Sequence, residues 1–163
     1  MVSRVKLALG DIFEIHLEGD KKGYFQYIAK DSTQLDSEVV RIFSNRYSIA
    51  EEPNFSDIVS NGVQLHAHVF IKTGLRFGFW NKVGNEKIDE SIVLSKFRAT
   101  DDILDPSIKI SKKWYVWEIN QKSKYVGKLN AEQKQYTIGV VQPPQVIKKM
   151  METGENAFTY PSS

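Results

Sequence analysis

Along the first half of the chain apolar and polar positions alternate with a period of two, the pattern of strands with one buried face. In residues 11–17 Phe13, Ile15 and Leu17 fall on one side, and Glu14 and His16 on the other. Gly, Asp and Lys fill residues 18–23 and predict a turn, so residues 23–30 should return as a hairpin partner with Phe25, Tyr27 and Ala29 on a shared face. Residues 37–47 are β-branched and aromatic, which predicts a third strand and hence a meander. The pattern then breaks. Pro53 favours an extended start, Asn54 is an N-cap candidate and Gly62 a stop, which predicts a short helix or 3₁₀ turn from Phe55 to Ser60. In residues 63–72 alternation resumes, with Val63, Leu65, Ala67, Val69 and Ile71 on one face.

Residues 74–85 form an aromatic stretch punctuated by glycine and ending in a turn at Gly84 and Asn85. Residues 86–108 read as irregular and acidic. A second hairpin is predicted from residues 114–119 and 124–129, followed by a short strand closed by Pro143 and Pro144. The clearest helix starts at Pro144, carries an apolar stripe of Val146, Ile147, Met150 and Met151, and stops at Gly154. Phe158 and Tyr160 are expected to pack the tail back onto the domain. The sum is a single β-rich α+β domain over residues 1–163. Its expected form is a strongly bent antiparallel sheet or a small SH3-like barrel with a C-terminal helix.

Composition narrows the function classes. No apolar run approaches the roughly 20 residues of a membrane span, and the N-terminus lacks the long apolar region of a signal peptide. A cytoplasmic location and no membrane partner are therefore expected. The chain has no cysteine, which removes disulfides, thiolate metal sites and a cysteine nucleophile. The formal net charge is only +2, too small to point to nucleic acid. Residues 1–108 carry 13 Lys/Arg against 16 Asp/Glu, and residues 109–163 carry 9 against 4, but the late lysines are dispersed as on an ordinary solvated face.

One motif invites chemistry. In "VQLHAHVFIK" His66 and His68 project to the same side of a strand, and with His16 they make the ligand count of a catalytic zinc site. A metal-dependent hydrolase is the enzymatic reading. Against it, the alternation places Gln64, His66, His68 and Lys72 on the outward face, with Phe70 as its apolar exception, so half-exposed strand histidines are expected. Neither G-x-S-x-G, a P-loop nor G-x-G-x-x-G occurs. Asp101, Asp102 and Asp105 lack the glycine and glutamate of a calcium loop. Trp80, Trp114, Tyr115, Trp117 and Tyr125 lie among lysines and could stack bases, but core packing is the more economical use. Trp114 and Trp117 differ in parity, so one of them should face the core. Glu51, Glu52 and Asp57 around Phe55, together with Asp101 and Asp102, read as acidic loops suited to partner contact.

The order of segments resembles a known family. Gly10, Asp11, Ile12 and Phe13 open a strand, an aromatic return strand carries Gln26, and Trp80 precedes Val83, Gly84 and Asn85. This series is similar to the immunity-protein family numbered 26 of bacterial polymorphic toxin systems, over residues 9–97 and more weakly over 114–129. Where that family tends to have proline in its first strand this chain has His16, so the resemblance lends His16 no role. It implies a cytoplasmic, non-enzymatic protein that blocks a cognate toxin domain by binding it; no cofactor is expected, since a sheet this rich in Phe, Tyr and Trp buries enough area to be stable without one.

Overall fold

The computed structural model of the protein describes residues 4–154 and 160–163. The meander forms as the alternation predicts: β1 (Asp11–Leu17), β2 (Lys21–Asp31) and β3 (Ser37–Phe43) pair antiparallel in chain order. Gly19 and Asp20 take positive φ between β1 and β2, the backbone a tight hairpin turn needs. A two-residue strand, β4 (Tyr47–Ser48), closes on the start of β2. The short helix α1 (Phe55–Ser60) lies where its cap signals place it, with the Asn54 side chain accepting the Asp57 backbone N–H at 3.2 Å. β5 (Val63–Val69) then pairs with β3, and β6 (Trp80–Asn85) returns to β1. The resulting sheet runs β5-β3-β2-β1-β6.

Between β5 and β6 the alternation misleads. Ile71 is not a strand residue but the first of a helix, α2 (Ile71–Arg76). Its packing explains the turn: the Trp80 ring lies close against the Gly74 backbone, and the Trp80 indole N–H donates to the Ile71 carbonyl at 3.0 Å. Residues 86–108, read as irregular, contain β7 (Phe97–Ala99) and a 3₁₀ turn at Asp101–Leu104. β7 joins the predicted hairpin of β8 (Trp114–Trp117) and β9 (Lys124–Gly127), and β10 (Thr137–Ile138) adds a parallel edge. So the strands divide between two sheets. The helix α3 (Pro144–Thr153) ends at Gly154, whose positive φ lets its N–H reach the Met150 carbonyl at 2.8 Å. Among the described residues no helix is long and apolar enough to cross a membrane.

The larger sheet is covered on both faces. On one, Phe13, Ile15, Phe25, Val40 and Ile42 pack with Trp80 against Ile147 and Met151 of α3. On the other, Ile12, Tyr24 and Phe43 meet Ile58 of α1, while Ile28 and Val39 meet Phe97 and Trp117 of the second sheet. Trp114 and Trp117 are both buried, not one of the two as their parity suggested. A register shift after Trp114 lets its ring lie beneath Tyr160, centroids 5.8 Å apart, while Trp117 fills the space between the sheets. Tyr160 thus packs back as expected; Phe158 lies outside the described residues.

Candidate functional site

The two sheets meet over the histidine motif, and this reverses its expected exposure. His66 is 7% exposed and His68 0%, so the side of β5 that carries them is not an outward face. Residues 86–97 and the second sheet lie over it.

His68 completes a buried hub. Its Nε2 donates to Asp31 Oδ2 at 2.8 Å, and the Trp117 indole N–H reaches the same oxygen at 3.0 Å. The backbone N–H groups of Asn120 and Gln34 donate to Oδ1 at 3.1 and 3.3 Å. Asp31 is acceptor-only when ionised, so the proton of that bond sits on His68. Burial alone would raise the Asp31 carboxyl, but its donors, His68 foremost, outweigh that and hold it below the ordinary carboxylate value. Burial in turn pushes His68 down, against the pull of Asp31, and keeps the imidazole neutral at pH 7.

His66 belongs to a second polar row. Gln26, Arg41 and His66 stand side by side across β2, β3 and β5. Arg41 Nε donates to Gln26 Oε1 at 2.9 Å, and Gln26 Nε2 donates to the carbonyls of Glu86 and Gly10 at 2.8 and 3.1 Å. At the other end His66 Nδ1 accepts the Ser95 backbone N–H at 3.1 Å and lies 2.6 Å from Ser95 Oγ. Burial, helped by the neighbouring Arg41 charge, pushes His66 down to about 4. The row therefore pins residues 86–95 at both ends between two apolar clusters. This is structural chemistry: a neutral imidazole used as an acceptor.

His16 is elsewhere. It is exposed on β1, with Nε2 3.1 Å from Glu14 Oε1, and β2 and β3 separate it from β5. Three strand spacings amount to about 14 Å, so the three histidines are not brought together. Among the described residues no group of three or more His, Cys, Asp or Glu is placed to hold a metal ion.

The acidic loops fall on different parts of the molecule. Glu51, Glu52 and Asp57 are exposed beside α1, where the Glu51 carbonyl accepts Lys22 Nζ at 2.6 Å. Phe55 is half-buried among the α1 cluster, its ring against Gly84, and so anchors the loop inward. Asp101 is exposed on the 3₁₀ turn, while Asp102 Oδ2 accepts the Ser111 hydroxyl at 2.7 Å. Trp80, Trp114 and Trp117 are buried and present no stacking platform; of the aromatic set Tyr125 is the exposed member, packed edge-on to Tyr115.

The open surface lies where the sequence reading did not look. Phe70 and Phe77, at the two ends of α2, are 47% and 67% exposed. With Thr73, Phe79, Val141, Pro143 and Pro144 they line a groove of about 690 Å³ between α2 and the start of α3. A smaller hollow of about 200 Å³, lined by His16, Gly78 and Lys148, adjoins it across Phe77 and Phe79. The available signal was Phe70, an aromatic residue on a side of the strand otherwise polar. No known protein family, characterised protein or solved structure matches the chain.

Proposed function

We propose that this chain is a non-enzymatic immunity protein that binds a cognate bacterial toxin domain in the cytoplasm and so neutralises it. The observation that carries the reading is the groove at Phe70 and Phe77: large aromatic side chains open to solvent around a concavity are the usual composition of a protein-binding hot spot. The resemblance of the segment order to the immunity family is in keeping with the same reading. His66 and His68 fit it too, because their ring nitrogens hold the domain together through Ser95 and Asp31. The acidic loops at Glu51, Glu52 and Asp57 and at Asp101 and Asp102 are the second candidate contact.

The test is neutralisation in cells. A secreted toxin encoded beside this chain's gene is expected, and its C-terminal domain should arrest growth when expressed alone. Co-expression of this chain should restore growth, and the two should co-purify as a stoichiometric complex. Continued arrest with both proteins folded and abundant overturns the proposal. Zinc bound one-to-one in the purified chain and lost on His66→Ala/His68→Ala substitution would move the assignment to the hydrolase.

A further inference from the structure

Resting on that binding reading, we infer that the groove between α2 and α3 takes an acidic segment of the partner, anchored by an apolar side chain. Two features converge on that chemistry, and a third marks an unmet hydrogen bond at the same place. The first is uncompensated positive charge. Arg76 stands over the exposed Phe77 ring, its guanidinium carbon 5.7 Å from the centroid, and Lys148 lines the adjoining hollow. Among the described residues neither has a carboxylate within 4.0 Å. The one acid of α3, Glu152, turns to the β1–β2 turn and accepts the Glu18 N–H at 3.1 Å.

The second feature is the N-terminal end of α3. Pro143, Pro144 and Gln145 line the groove, so the positive end of a ten-residue helix faces it, without a side-chain cap. The third is Gln142, only 4% exposed, which also lines the groove and holds a side-chain Oε1 with no hydrogen-bond partner. A buried acceptor left unmade is costly; it asks for a donor rather than an acid, and so marks strain beside the groove and not the sign of its ligand.

The shape selects among anionic partners. An anionic bilayer is planar and is met by protruding side chains, whereas here the apolar surface is a concave groove lined from α2, the start of α3, Val141 and Phe79. A groove of that kind receives a helix or extended segment with one or two apolar anchors, and the surrounding cations steer and orient its carboxylates. The acidic loops of this chain lie on other elements and leave the groove free to act alone.

The experiment uses fluorescence anisotropy with two labelled amphipathic peptides that share Leu and Phe anchors, one filled with Glu and the other with Lys. The Glu peptide should bind the intact chain at least about tenfold more tightly than the Lys peptide, and its affinity should fall as salt rises. Phe77→Ser, on an exposed side chain, should abolish that binding with an unchanged circular dichroism spectrum. Arg76→Glu/Lys148→Glu should reverse the peptide preference, and Glu90→Lys, exposed between β6 and β7, should leave it intact. Equal affinity for the two peptides, no binding of the Glu peptide, or binding indifferent to Phe77 overturns the inference. So does Phe77-dependent sedimentation with anionic vesicles in place of peptide binding. In the growth assay a Phe77→Ser/Arg76→Glu chain that still neutralises the toxin removes the groove while the immunity function stands. A wild-type chain that fails to neutralise removes the function itself.

Discussion

Asp31 gathers four hydrogen-bond donors from β2–β3, β5, β8 and the turn after β8, all at one carboxylate with no solvent exposure. Removing it orphans a buried imidazole, an indole N–H and two backbone amides at once. Asp31→Ala should therefore lower stability by about 3–5 kcal/mol in urea denaturation, and a loss under about 1 kcal/mol would mean the hub is dispensable. His66 makes a prediction of different form. Its folded value lies below the ordinary 6.5, at about 4, so it contributes full stability only above the unfolded value. As pH falls from 6.5 towards 4 the unfolded chain binds the proton first, and His66 alone should remove about 3 kcal/mol over that window, with His68, also held low by burial, adding to the fall. Asp31, also held low, adds its own loss only below the ordinary 3.8. Urea midpoints against pH should show a shallower fall between pH 6.5 and 4 for His66→Gln; parallel curves would contradict the assignment. Neither residue's partner was legible locally, since Asp31 and Ser95 lie 37 and 29 positions away from their histidines.

At the scale of single elements, legibility followed the presence of terminal signals. Helix α1 is only six residues long, yet Asn54 marks its start through a bond its own side chain makes. Helix α3 carries proline at the front, an apolar stripe and a left-handed glycine at the end. Helix α2 has none of these: Phe70 makes no side-chain cap bond, and the sequence IKTGLR follows a strand without punctuation. What holds it is Trp80, which needs the bare backbone of Gly74. A Cβ at Gly74 would sit 2.0 Å from the indole ring. Helix propensity alone would have Gly74→Ala stabilise by about 1 kcal/mol, whereas overpacking costs roughly 1–3 kcal/mol. Net destabilisation is expected, read as a lower thermal midpoint. A raised midpoint would show that propensity wins.

For the whole molecule, the question is whether the two sheets are one folding unit. Phe97 and Trp117 of the smaller sheet fill a cluster with Ile28 and Val39 of the larger, and the Asp31 hub crosses the same boundary. Separating the sheets would expose that apolar cluster and uncover a charged carboxylate, so neither should persist alone. Tryptophan emission, which reports Trp80 in one sheet and Trp114 and Trp117 in the other, should follow the same denaturation curve as far-UV circular dichroism. Two separated transitions would establish independent units.

The sequence by itself determined the elements that short-range physics encodes: the β1–β2 turn at Gly19 and Asp20, the cap at Asn54, the β8–β9 hairpin and the ends of α3. It also carried the β-rich character of the whole. Only the tertiary structure decided what lies over each face. Alternation tells that the two sides of a strand differ, but not which distant segment will cover the polar one. A histidine on that side reads as exposed until an aspartate or serine from elsewhere satisfies it in the interior, at which point burial ceases to be costly. The same logic hid the groove. Whether an aromatic residue such as Phe77 is buried or open depends on how α2 and α3 meet, and that is set by packing between segments some 70 residues apart.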